Sequence, residues 1–404
     1  MALAQGRNKV LTFKRQTAKG TIATTGTAQN LRRNTATFEL QKETYNTADE
    51  ITTTQQMLSS RHGVRLVNGS YSGLLSPLTH TDMLSALLRK DFATVTALAT
   101  LSITVAGSGP YTITRASGSF LTGGIKIGMV VRLTAGSFSA GNLNKNLLVT
   151  GVTATVLTVA VLNGSTLTAE GPISSSTVTV TGKVSYVPAS GHTNVYYTVE
   201  EWYADVPHSE RNKDVKVGSA SLSLPGSGNA TIDMSLMGLD QTRDTSQYFV
   251  TPTAETTSNT LVSASGALYV DGASVATVTD LSVEITGNQS AADGVVGTNL
   301  RADIFDGKVM ATGSFTAYFD STDTADAFLN EEEISILSAL TDGSEADAEF
   351  QTYYMPRIKV NSDTTDDGET GLKRTYNFEA LYNSAGGTGI ATEATTIQVQ
   401  DSLA

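Results

Sequence analysis

The sequence predicts a mainly β protein: two tandem copies of one domain of packed β-sheets, each with a single flanking helix, plus a small all-β domain inserted into the first copy. Three observations carry this. One pattern occurs twice. Val67-Asn68-Gly69-Ser70-Tyr71-Ser72 leads through a turn to Thr81-Asp82-Met83-Leu84, and Ala311-Thr312-Gly313-Ser314-Phe315-Thr316 leads to Ala325-Asp326-Ala327-Phe328, with 13 residues from glycine to aspartate in both. Upstream, Glu39 precedes Gly69 by 30 residues and Glu284 precedes Gly313 by 29; self-similarity this long marks duplicated units. Second, only 16% of residues are charged, and β-branched residues alternate with polar ones, the composition of many short, half-buried strands. Third, residues 93–187 have no counterpart in the second copy, so they read as an insertion.

Residues 1–30 are polar, rich in Thr, Ala and Gly, and weakly patterned, which reads as an arm that orders only against a partner. The first domain, 31–92 and 188–250, opens with a strand at 35–42. A polar stretch, 43–61, is too long for a tight hairpin. A strand at 63–75 and Pro77 then lead into a helix in which Thr79 or Thr81 can cap, Asp82 suits the positive first turn, and Arg89-Lys90 suits the negative end. Met83, Leu84, Leu87 and Leu88 form one apolar stripe that should pack on a sheet. In the insertion, strands at 111–115, 129–133, 147–162 and 176–187 are separated by Gly-containing turns, the pattern of a small barrel or sandwich. The first domain resumes at Asn194 with a strongly β run holding the only Trp, Trp202, and continues through strands at 215–224 and 230–237 joined by Pro225-Gly226-Ser227-Gly228. A polar bridge, 240–258, leads to the second domain, 251–404. Its strands fall within 268–285, its long polar connection at 287–307, a strand at 308–319, and a helix from 323 to about 332 whose Phe328 and Leu329 should pack on the sheet. Strands at 334–340, 350–360 and 374–382 complete it. Both domains keep a long exposed loop at one point, which points to a partner for that loop.

Cysteine is absent, so neither disulfides nor thiolate metal sites hold this fold. No apolar run has the length of a signal peptide or a membrane span, and the expectation is a soluble, intracellularly assembled molecule. Charge is uneven: residues 1–92 carry 12 basic and 6 acidic side chains, residues 271–404 carry 6 and 23, and the whole chain is −12. Such asymmetry is what a subunit needs if one end meets the opposite end of another, although a solvated acidic face with a basic arm has the same signature.

Chemistry is hard to find. His62, His80, His192 and His208 are scattered with no i, i+4 pair, and each reads as a surface or hydrogen-bonded histidine. No GxSxG elbow is present, and the Gly-Ser-Gly segments at 107–109 and 226–228 read as hairpin turns rather than phosphate cradles. The stretch from Asp363 to Glu369 has a glycine at the sixth position of a calcium loop, but the twelfth is Arg374 where a bidentate carboxylate is needed, so a solvated turn is the better reading. Glu331-Glu332-Glu333 reads as a helix end. A pI near 4.8 argues against stable DNA binding. No catalytic set, cofactor site or metal site is expected, and the protein does not read as an enzyme.

Thr37-Phe38-Glu39-Leu40, Arg61-His62-Gly63-Val64-Arg65 leading to Gly69-Ser70-Tyr71-Ser72-Gly73, Tyr196-Tyr197-Thr198-Val199-Glu200-Glu201-Trp202-Tyr203, Met355-Pro356-Arg357-Ile358-Lys359-Val360 and Gln398-Val399-Gln400-Asp401 resemble the tail tube (major tail) proteins of long-tailed, non-contractile bacteriophages. The resemblance covers nearly the whole chain outside 93–187. It implies two packed sheets flanked by a helix, rings whose inner strands join into one β-barrel, and rings stacked into a hollow, acid-lined tube that DNA crosses during ejection. Implied partners are the chain itself, tail tip or baseplate and tail terminator proteins, the tape measure protein in the lumen during assembly, and genomic DNA in transit. The implied location is the virion tail, assembled in the host bacterial cytoplasm, with no membrane insertion. The family's simplest plan is one tube domain per subunit and six subunits per ring. Two tube domains per chain imply a homotrimeric, pseudo-hexameric ring, or alternatively two layers of a six-chain ring. Candidates for ring-to-ring contacts are Arg7 and Lys9 in the arm, Tyr45, Asp49 and Glu50 in the first long loop, and Asp293, Arg301 and Asp303 in the second. The insertion is expected to project outward. The runner-up is a β-rich carbohydrate-binding or adhesive module stacking sugars on Tyr196, Tyr197, Trp202 and Tyr203, although alternation along a strand splits these between two faces.

Overall fold

The structure, a computed structural model, describes all residues except 1, 2, 47–50, 52, 54, 55, 57, 58, 163–165, 276, 320–322 and 367–370. The chain is mainly β. It runs through β1 (Lys9–Arg15), the short β2 (Gln29–Asn30), β3 (Thr35–Asn46), β4 (Ser60–Leu74) and α1 (Thr81–Leu88). Six strands follow: β5 (Leu98–Ala106), β6 (Tyr111–Arg115), β7 (Val130–Ala135), β8 (Leu147–Val152), β9 (Val156–Val161) and β10 (Glu170–Val180). They close on themselves as a barrel in the order β10-β5-β6-β9-β8-β7. After β11 (Lys183–Tyr186) the first half finishes with β12 (Tyr197–Tyr203), β13 (His208–Pro225), β14 (Thr231–Gly238) and β15 (Asp240–Asp244).

The second half repeats the first half's order without the barrel. It comprises β16 (Val262–Val270), β17 (Ala273–Ser274), β18 (Val278–Thr286), the small pair β19 (Ser290–Ala291) and β20 (Ile304–Phe305), β21 (Met310–Tyr318), α2 (Asp323–Leu329), β22 (Glu333–Thr341), β23 (Phe350–Asp366), β24 (Lys373–Ala380) and β25 (Gln398–Asp401). The pairings match strand for strand. In the first half β3 pairs β4, β4 pairs β14 and β14 pairs β13. In the second β18 pairs β21, β21 pairs β24 and β24 pairs β23. Even the irregularities coincide: the register slips between Val217 and Ser219 on β13, and between Val360 and Ser362 on β23. Bulges of this kind bend a strand and fix its twist, so their repetition is a copied backbone feature.

The repeated Gly-Ser pair has a packing reason. A Cβ on Gly69 would stand 2.5 Å from the Phe38 ring, and one on Gly313 would stand 2.6 Å from the Phe378 ring. Each glycine leaves space for an aromatic side chain from the neighbouring strand to lie over it.

The first parts of β13 and β23 pair in an outer layer, β13 with β12 and β15, and β23 with β22 and β25; their later parts join the inner sheet. The main core lies between the layers and under α1, and includes Leu11, Phe13, Tyr197, Leu222, Ile232, Met83 and Leu84. Residues 9–15, expected to order only against a partner, are β1, hydrogen-bonded to β12 from Lys9–Tyr203 to Arg15–Tyr197, with Leu11 and Phe13 buried. Two apolar residues at alternate positions are enough for a strand once a partner edge is present.

The barrel does not stand free. Val130, Leu148 and Leu162 pack with Leu337, Ala339, Phe350 and Tyr354 of the second half. The buried Gln400 accepts a hydrogen bond from the Val130 N–H (2.7 Å) and donates to the carbonyls of Val130 (3.1 Å) and Thr181 (2.6 Å). β11, on the way back from the barrel, pairs with β25 at the far end of the chain.

Candidate functional site

The halves meet edge to edge. Ser219 to Pro225 of β13 pair antiparallel with Thr286 to Asp280 of β18, so β3-β4-β14-β13-β18-β21-β24-β23 is one hydrogen-bonded sheet of eight strands. Alternation gives it two unlike faces. One face presents Ala36, Tyr71, Ile232, Met234, Leu222, Val283, Ile285, Phe315 and Phe378 to the core. The other is polar. Hydroxyl and amide pairs cross it at equivalent places in the halves: Thr37–Ser70 (2.7 Å) corresponds to Ser282–Ser314 (2.9 Å), and Ser219–Ser235 (2.8 Å) to Ser362–Asn377 (2.7 Å). Six carboxylates, Glu39, Asp233, Asp280, Glu284, Asp366 and Glu379, stand on this face against Lys359 and Lys373. Such a surface repels polyanions.

Both ends of this sheet are unpaired among the described strands: β3 pairs only with β4, and β23 beyond Lys359 pairs only with β24. Burial differs accordingly. Leu222, Val283 and Ile285 at the inner seam are 0% exposed, whereas Phe38 and Leu40 on β3 are only half-buried and Thr365 on β23 is exposed. Rows of open N–H and C=O groups are templates for another strand.

The connection 287–307 is a clamp from the second half onto the first rather than a free loop. Lys216, 2% exposed, donates to the Ile304 carbonyl (3.0 Å) and to Asp306 Oδ2 (2.8 Å), with the Tyr196 ring 4.7 Å away. Arg301 pairs with Glu43 (2.8 Å) and donates to the Ala292 carbonyl. Asp303 accepts from Lys19 (2.9 Å), the Tyr196 hydroxyl (2.7 Å) and the Ile304 N–H; burial opposes its ionisation, but these bonds hold its carboxyl below the usual range. Arg301 and Asp303 are therefore both engaged by contacts within the subunit. Lys9 is likewise engaged, with the buried Glu201 and the Ala36 carbonyl (2.7 Å). Arg7, Tyr45 and Asp293 are exposed, and Asp49 and Glu50 lie outside the described residues. Tyr45 donates to Glu43 (2.8 Å), the carboxylate that Arg301 also grips, and a β-bridge joins Gly294, next to Asp293, to Arg301.

Met83, Leu84, Leu87 and Leu88 are buried on the core-facing side of α1, and Phe328 packs against the same core. Leu329 does not: as the last residue of α2 it turns to solvent and is 75% exposed. Neither threonine caps α1. The N-cap is His80, and Thr81 Oγ1 and the Leu78 N–H instead donate to Asp401 (both 2.9 Å), a carboxylate brought by β25 to the positive end of the helix. Asp401 is adjacent to the helix only in space, so sequence spacing gave no sign of it.

Of the four aromatics read as a sugar platform, two are committed to contacts inside the subunit. Tyr197 is buried with its hydroxyl on the Asp82 carbonyl (2.9 Å), and Tyr196 is held by Asp303 and Asn194. Asp363 is paired with Arg374 (2.8 Å), which occupies the position where a calcium loop needs a carboxylate. Among the described residues no group of three or more His, Cys, Asp or Glu could hold a metal ion, and no helix is long and apolar enough to cross a membrane.

A comparison with curated proteins finds no match. The family model described as phage tail tube protein matches residues 6–380, nearly the whole chain and both halves of the duplicated sheet. With its two-faced sheet, open edges and duplicated plan, the chain belongs to the phage tail tube proteins, structural components of the virion tail.

Proposed function

We propose that three copies of this chain close into a pseudo-hexameric ring, and that rings stack into the hollow tail tube of a long-tailed, non-contractile phage. The observation that carries this is the seam between β13 and β18: the halves lie side by side in one sheet, not one above the other. Each half then fills one of six positions, and three eight-stranded sheets make a barrel of 24 strands. At about 4.8 Å per strand the backbone circle is roughly 37 Å across before strand tilt, wide enough for a duplex within the side-chain lining. Closing the ring removes both open edges.

With the polar face inward, the lumen is lined by Glu39, Asp233, Asp280, Glu284, Asp366 and Glu379 and their ring mates. A conduit must not hold its cargo. Each neutralised phosphate adds affinity and salt dependence, and carboxylates offer no such contact, so DNA slides during ejection. The barrel of residues 98–180 rests on the outer layer and so faces the outside of the tube. Ring stacking falls to the ends of the strands, with Arg7, Tyr45 and Asp293 among the exposed side chains there. The tail tip, terminator and tape measure proteins meet the tube at its two ends and in its lumen. Electron microscopy of purified, assembled protein tests this. Three chains around a pseudo-six-fold pore is the expected class average, six chains would reassign the second half to another layer, and monomers that never form rings even with a tail-tip template would refute the tube.

A further inference from the structure

We infer that the contact between neighbouring subunits copies the register of the internal seam, with Thr364 of one chain opposite Glu39 of the next. This rests on the ring proposed above and assigns the strand pair that closes it. Shared pairings and the shared bulge superimpose β23 on β13 and β3 on β18, so that Thr364 corresponds to Ser221 and Glu39 to Glu284. Inside the chain Ser221 faces Glu284, Leu222 faces Val283 and Ala220 faces Ile285. Between chains, Ser362, Thr364 and Asp366 then face Gln41, Glu39 and Thr37 on the polar side, while Thr365 and Asp363 face Phe38 and Leu40 on the core side.

Burial supports this. Phe38, Leu40 and Asp363 are only partly buried and Thr365 is exposed, whereas Val283, Ile285, Ala220 and Leu222 are sealed. Side-chain chemistry disfavours both one-residue slips and one of the two-residue slips, and the Thr37 pair below tests the other. A slip of one residue brings polar-face Thr364 against core-face Phe38 or Leu40. A slip of two residues in one direction sets Asp366 opposite Glu39 and Ser362 opposite Glu43, and like charges directly opposed are destabilising.

The chain has no cysteine, so engineered pairs report without background. Thr364→Cys with Glu39→Cys should give interchain disulfides in assembled protein, running as covalent dimer and trimer on a non-reducing denaturing gel, because opposed antiparallel residues fall within disulfide reach. Ser221→Cys with Glu284→Cys should oxidise within single chains, verifying the template geometry in the folded monomer. Thr364→Cys with Thr37→Cys, and with Gln41→Cys, should leave the trimer band absent. Tubes seen by microscopy whose cross-link forms in a shifted pair, or in none, would overturn the register while leaving the tube intact. Absence of both rings and interchain cross-links, with the internal disulfide formed, would overturn register and tube together.

Discussion

Removing the carboxylate of Asp306 should destabilise this protein more than removing the lysine it partners. The Lys216 ammonium is almost fully enclosed, and apart from Asp306 it has one acceptor, the Ile304 carbonyl, and the face of Tyr196. In Asp306→Ala the charge stays and its counter-charge goes. Breaking a buried pair from one side costs about 3–5 kcal/mol, and because the Asp306 side chain is 24% exposed, and water replaces part of what is lost, about 2–4 kcal/mol is expected. Lys216→Met keeps the volume and removes the charge, leaving Asp306 partly solvated and still bonded to Gln289 (3.0 Å); its cost should be within about 1 kcal/mol. Adding Lys216→Met to Asp306→Ala should therefore recover most of the loss, a non-additivity of about 1–3 kcal/mol. Urea denaturation of the unassembled chain measures all three variants. Trp202, the only tryptophan, reports from β12, whose partner strand β13 carries Lys216. A Lys216→Met cost equal to that of Asp306→Ala, or an Asp306→Ala cost below about 0.5 kcal/mol, would refute the buried-charge reasoning.

Acid stability should depend on His80. Burial, with Arg32 nearby, pushes its pKa from 6.5 down to about 3, so the unfolded chain takes up its proton first and stability falls as pH drops from about 6.5 towards about 3. His80→Gln, which keeps a partner for the Tyr71 hydroxyl, should flatten the slope of unfolding free energy against pH by up to about 1.4 kcal/mol per pH unit in that window; an unchanged slope would exclude His80 as the source. Gln400→Leu should leave the Val130 N–H without its acceptor and cost about 1–3 kcal/mol, read as faster hydrogen exchange at Val130 and earlier proteolysis between barrel and second half. Replacing Glu39, Glu284 and Glu379 together by Lys should give tubes that retain short DNA duplexes at low salt and release them on salt addition, with a log–log slope of roughly −0.9 per phosphate contact. Retention of DNA by tubes with the native carboxylates would contradict a repelling lumen.

Much of the fold was legible because its signals are local. The apolar stripe of Met83, Leu84, Leu87 and Leu88 has helical spacing, and those four side chains are buried where it points. Strand positions follow from alternation, and the duplicated Gly-Ser motif marks the same strand in each half, with Gly69 under Phe38 and Gly313 under Phe378. Where local signals were thin, reading failed: Leu11 and Phe13 are too few to announce β1 without the β12 edge, and Leu329, the last residue of α2, turns to solvent.

By itself, then, the sequence determined the duplication, the β class, the positions of most strands and α1, and the excess of carboxylates, all properties of side-chain order along the chain. Tertiary structure decided which edges meet. The β13–β18 seam, the Lys216–Asp306 clamp, Asp401 at the first turn of α1 and the seating of the barrel on Gln400 join residues between about 55 and 320 positions apart. Backbone N–H and C=O groups are the same in every strand and carry no address. The partner of each edge is selected only when burial, charge and bulge position are satisfied together in three dimensions.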